Sequence, residues 1–213
     1  MTTATDGQAL LERLDRDRPN NTQIREIAKE LGKSSELAGY LWTSGGYSAR
    51  MLALLILEPK SVDVPYIERL IADLEPMEDR KEQSQLLDWT IANVIMKKAA
   101  LKNETAKWRD DPSTLKQRAF WSVHARTIRA ENHALNEELL GHIERALPTA
   151  TSTVQWNMNW CAAQIGIEDE RLRDRCLALG ELGLYRDYPV SKGCTSPFIT
   201  TWISAMVGRK ATV

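Results

Sequence analysis

Three short stretches set aromatic, amide and cationic side chains at spacings that suit chemistry. In LLDWTIANV, Trp89 stands four residues before Asn93, with Asp88 directly ahead of it. In LKQRAFW, Arg118 precedes Trp121 by three residues. In VQWNMNWCAAQIG, Trp156 and Trp160 are four apart, with Asn157 and Asn159 between them. Helical residues four apart share a face. Large aromatic faces beside a fixed cation are what a groove needs to grip nucleic acid, since rings stack on bases and a guanidinium forks onto phosphate. Asp88 is the nearest carboxylate to Trp89, but one residue along a helix it points about 100° away. Asn93 shares the tryptophan's face, yet an amide offers hydrogen bonds without charge.

Each of these residues also has a plainer reading. An aromatic at helical spacing is more often packing than ligand contact. Trp121 is read as core, whereas for Trp89, Trp156 and Trp160 both readings stay open. Arg118 reads equally as a surface arginine of a first helical turn. Ser191, Lys192, Gly193, Cys194, Thr195 and Ser196 precede a helix start and suit an anion nest, but a turn that docks the last helix explains them as well. His124, His133 and His142 recur every nine residues, and Cys161, Cys176 and Cys194 lie far apart. Neither set has metal-ligand or disulfide spacing, so no metal and no cofactor is expected.

The elements that must position these groups read as helices throughout. Leu10, Leu11 and Leu14 form a stripe ending at Pro19, and Ile24, Ile27, Ala28 and Leu31 form the next, stopped by Gly32. Ser34 caps a helix through Trp42, and Gly45-Gly46 turns the chain into Tyr47–Leu57. Asp63 with Pro65 starts another, closed by Pro76. Residues 80–101 read as one long helix with Leu86, Leu87, Ile91, Val94 and Ile95 inward. Asp111-Pro112 reads as a cap-plus-proline start for a helix through Ile128. Leu135–Leu147, Ser152–Ile165 and Glu168–Leu182 follow, and a last helix begins near Pro197. No stretch alternates as a strand does. About ten short helices joined by short turns predict an all-α fold, an α-α solenoid of stacked antiparallel pairs.

The chain has 213 residues, 43% hydrophobic and 27% charged, the composition of a soluble single-domain protein. No apolar stretch reaches the roughly 20 residues that span a bilayer, and MTTATDGQAL shows no secretory signal, so a cytoplasmic protein with no membrane contact is expected. The net charge of −1 argues against indiscriminate nucleic-acid binding. Its distribution is uneven, however: Glu58 to Asp88 carries a net of −5 and Arg171 to Val213 a net of +4. Such a positive side can attract a phosphate backbone, though solvated helix faces explain it too.

The segments LWTSGGYSARMLALLILEP, LLDWTIANVIMKK, LKQRAFWSV, VQWNMNWCAAQIGI and DYPVSKGCTSPFITTWI, in this order, resemble the DNA alkylation repair family of HEAT-like repeat proteins. The likeness covers Leu41 to Gly208. It implies a HEAT-like superhelix and a DNA glycosylase releasing N3- or N7-alkylated purines from duplex DNA. A carboxylate would stabilise the cationic sugar of the transition state, aromatic faces would hold the cationic base, and an arginine would anchor phosphate. The resemblance places DNA contacts on Trp89, Arg118 and Trp160, to which Trp156 is added as the tryptophan on the same helix face, and it places the catalytic carboxylate at Asn93. If Asp88 is instead the carboxylate, position 84 is serine and the paired tryptophan is missing. Asp88 and Asn93 are thus the two candidates at the catalytic position. Three readings follow: a monomeric alkylpurine glycosylase, a non-catalytic DNA-binding member, or a helical scaffold for a protein partner.

Overall fold

Side-chain caps and glycine stops punctuate a chain whose regular elements are all helical among residues 4–210, which the computed structural model describes. The first six helices are α1 (Ala4–Asp17), α2 (Asn21–Leu31), α3 (Ser35–Ser44), α4 (Tyr47–Ile56), α5 (Val64–Leu74) and α6 (Arg80–Asn93). They are followed by α7 (Ala99–Thr105), α8 (Thr114–Thr127), α9 (His133–Ala146), α10 (Ser152–Glu168), α11 (Arg173–Ala178) and α12 (Ile199–Lys210). Asn20 and Gln23 form a reciprocal capping box on α2, and Gly32 ends that helix at φ 71°. Ser34 accepts from the Leu37 amide, and Asp63 accepts from the Tyr66 amide with Pro65 in the first turn. Both caps are those the sequence predicts.

Contacts gather the chain into two compact units, one up to Ala106 and one from Lys107 on. Each unit is built around one nearly enclosed helix. In the first it is α4, whose residues from Met51 to Ile56 are all apolar and which packs on α2, α3 and α6. Gly45 makes the tight α3–α4 turn possible: a Cβ there would fall 2.3 Å from the Ala49 Cβ and 2.9 Å from the Leu41 carbonyl oxygen. In the second unit the enclosed helix is α10, packed on α8, α9, α11 and α12. The fold is the all-α one expected, built of sequential helix pairs.

Three boundaries differ from the sequence reading. The helix expected over 80–101 is broken: α6 stops at Asn93, Val94 leaves helical geometry at φ −120°, ψ −64°, and Ile95–Lys97 makes a 3-10 turn before α7. The β-branched pair Val94-Ile95 weakens the helix there, and the Lys98 ammonium ties the break to the Val62 carbonyl at 2.6 Å. The cap of α8 is Ser113 instead of Asp111. Asp111 accepts from the Ser113 amide at 2.9 Å, a local turn that delays the helix by two residues. The helix expected over 168–182 is three pieces, because α10 runs on to Glu168 and buried Asp169 then turns the chain into a 3-10 turn, α11 and a second 3-10 turn ending at Gly183, φ 68°. Periodicity finds the apolar face in all three places, but side-chain bonds, local at Asp111 and to other segments at Lys98 and Asp169, decide where it is interrupted. Among the described residues no helix is long and apolar enough to cross a membrane.

Candidate nucleic-acid interface

In the first unit the candidate residues lie on the last two turns of α6. Trp89 is 8% exposed, and the Arg25 guanidinium from α2 stacks over its ring at 4.5 Å from the centroid. Asn93, the last residue of α6, turns its side chain back along the helix and donates from Nδ2 to the Trp89 carbonyl oxygen at 3.0 Å. The Asn93 amide therefore works as part of the helix terminus. Asp88 is half-buried on the neighbouring strip of α6.

In the second unit α8 and α10 lie side by side and run the same way, since Arg118 meets Thr153 and Arg126 meets Trp160. Arg118 is 6% exposed and donates from Nη1 to the Thr153 carbonyl oxygen at 3.3 Å. Burial explains why the guanidinium is held in one place instead of waving from a first turn. Along α10, Thr153, Trp156, Trp160 and Gln164 form an accessible stripe on a helix most of whose other residues are buried. Trp160 lies under the Arg126 guanidinium at 4.5 Å, and Arg126 in turn donates to the Ser122 carbonyl oxygen at 3.0 Å and to the Ser122 hydroxyl.

Trp156 meets Tyr185 edge-on, with centroids 5.0 Å apart, and lies 5.2 Å from Tyr188. Burial pushes the Tyr185 hydroxyl up against the opposing pull of Arg118, so it is a neutral donor, 3.4 Å from the Gln155 side-chain oxygen. Trp121 is 1% exposed and packs in the core between Phe120 and His142, as the sequence predicts. Asn157 and Asn159 are buried, and Asn159 donates to the Pro197 carbonyl oxygen at 3.0 Å, fastening the segment before α12. Burial pushes the Cys161 thiol up, and it pushes Cys176 up to about 12, so neither is a nucleophile near neutral pH.

A sequence profile described as DNA alkylation repair enzyme matches residues 19–180, most of the chain. The chain belongs to that family. A solved structure of a protein from a new family related to the HEAT-like repeat DNA glycosylases, with affinity for branched DNA structures, superposes with a TM-score of 0.67 at 17% identity. The match covers 90% of this chain and 81% of that one. Comparison with curated protein sequences found no match.

Within this DNA alkylation repair fold, Asp88, Trp89 and Asn93 fall in the first unit and Arg118, Trp156 and Trp160 in the second. Sequence reasoning missed Arg25, Tyr185 and Tyr188. Arg25 looks like one of many solvent-facing charges on α2, and nothing local says that its partner is a tryptophan 64 positions on. The two tyrosines sit in LYRDYP, where an aromatic every third residue was the available signal.

Proposed function

We propose that this protein binds DNA as a non-catalytic member of the DNA alkylation repair family, acting as a monomer without metal or cofactor. The observation that carries the reading is Asn93: four residues after Trp89 stands a neutral amide, donated to the Trp89 carbonyl at the end of α6. Such a group places no negative charge where a cationic sugar would form, a loss of roughly 10²–10³ in rate for a site that relies on it. Buried, fixed Arg118 and the aromatic stripe of α10 support a grip on nucleic acid. The structural neighbour's affinity for branched DNA supports branched DNA as the ligand.

The test combines two measurements on the purified protein: release of methylated purines from alkylated duplex with protein in excess, and binding of an unmodified four-way junction against a matched duplex. The reading expects no release and a preference for the junction. Release abolished by Asp88→Ala would replace it with a glycosylase using that carboxylate. Failure to bind any DNA would leave the scaffold for a protein partner.

A further inference from the structure

Among the described residues three tryptophans carry an arginine over the ring, and one of these arginines stands apart. Arg50 over Trp42 donates to the Trp42 carbonyl oxygen at 3.3 Å, and Arg126 over Trp160 donates to Ser122. Arg25 over Trp89 is exposed, and among the described residues it has no hydrogen bond or ion pair. Its neighbours Ile24 and Ile27 are buried in the core of the first unit, so α2 itself is fixed and Arg25 springs from a rigid base. The guanidinium is therefore held flat by an aromatic face while its five donors remain for a ligand. Stacking of this kind orients the planar fork before binding, so less freedom is lost when it engages two oxygens.

The same contact limits what else Trp89 can do. A ring face already under a guanidinium at 4.5 Å is closed to a second cation, which would be repelled at that distance. We propose that Arg25, oriented by Trp89, is a DNA-phosphate anchor on α2, and that this place reads the backbone of unmodified DNA and not a cationic alkylated base. The assignment rests on the DNA-binding reading above and adds to it a contact residue and a ligand class. Trp89 is then a positioning residue, acting through the arginine it carries.

The test measures anisotropy of a fluorescein-labelled unmodified junction, and of unmodified and methylated duplexes, over a salt series. The proteins are wild type, Arg25→Ala, Arg25→Lys and the control Arg13→Ala, which removes an exposed charge of α1. Arg25→Ala is expected to weaken binding roughly tenfold and to reduce the slope of log affinity against log salt by about 0.9, the loss of one phosphate contact. Arg25→Lys should keep the slope but recover only part of the affinity, because lysine retains the charge without the planar fork. Arg13→Ala should match wild type, and wild type should bind methylated and unmodified duplex equally. The assignment is overturned if Arg25→Ala binds with wild-type affinity and slope, if Arg13→Ala loses as much, or if wild type prefers methylated duplex. Absence of DNA binding by wild type defeats the DNA-binding reading itself, and this assignment with it. Unchanged melting temperatures of the variants confirm that each comparison is between folded proteins.

Discussion

Asp169 shows how much one polar residue can organise in this fold. It is 1% exposed and sits between the turn before α9 and the start of α11. Its carboxylate is 2.8 Å from His133 Nδ1 and accepts from Asn136 Nδ2 at 3.2 Å and from Arg171 Nε at 3.1 Å. Burial pushes the group up, but the hydrogen bonds from His133, Asn136 and Arg171, with the charge of Arg171, outweigh burial and hold it at about 2. An unfolded aspartate titrates near 3.9, so the folded form binds its proton more weakly. The resulting stability is fully present above about pH 4 and is lost as pH falls through about 2. Urea denaturation over a pH series should show this fall in wild type. Asp169→Asn should lack it and be less stable at neutral pH by about 1–3 kcal/mol, the cost of unpairing buried donors. Identical acid profiles for the two proteins would remove Asp169 from this role.

At the scale of elements, α10 does most of the joining in the second unit. Its apolar and small residues face α8, α11 and α12, and the stripe of Thr153, Trp156, Trp160 and Gln164 reaches the surface together with Ser152, Gln155 and Glu168. Close approach of α12 depends on Gly166: a Cβ there would fall 2.6 Å from the Ile203 Cδ1 and 2.9 Å from the Cys176 Cβ. Both neighbours are buried, so room is made only by shifting α11 or α12. Gly166→Ala should destabilise the protein by about 1–3 kcal/mol, despite the better helix propensity of alanine. Thermal melting reads this directly, and an unchanged or higher melting temperature would mean that α12 yields without cost. The break after α6 is the other decisive element. It ends that helix at Asn93, whose side-chain amide folds back onto the last turn of α6.

Over the whole molecule the charges nearly cancel, so on the proposed DNA-binding reading attraction for DNA comes from local placement. The segment from Arg171 on carries a net of +4, and the part of the chain from Lys107 on is positive while the part up to Ala106 is negative. On that reading the protein would bind through a few phosphate contacts instead of a general positive field. Affinity for the junction should fall about tenfold between roughly 50 and 200 mM salt if two phosphates are engaged. An affinity independent of salt would point to a protein partner for the helical surface.

Local physics alone specified much of this protein. The caps at Ser34 and Asp63, the stop at Gly32 and the apolar faces of α2, α4 and α5 follow from side chains bonding or packing within a few residues of themselves. The same range of interaction put Trp89 and Asn93 on one helix face and identified Trp121 as core. What the sequence could not decide depends on partners far along the chain. Whether Trp89 is open or covered depends on Arg25, where 80–101 breaks depends on Lys98 reaching Val62, and where α10 ends depends on His133 and Asn136 meeting Asp169. Each is a polar or cationic contact worth about 1 kcal/mol or somewhat more. Such contacts leave no periodic trace in the sequence, and they form only once packing of the apolar faces has brought the segments together.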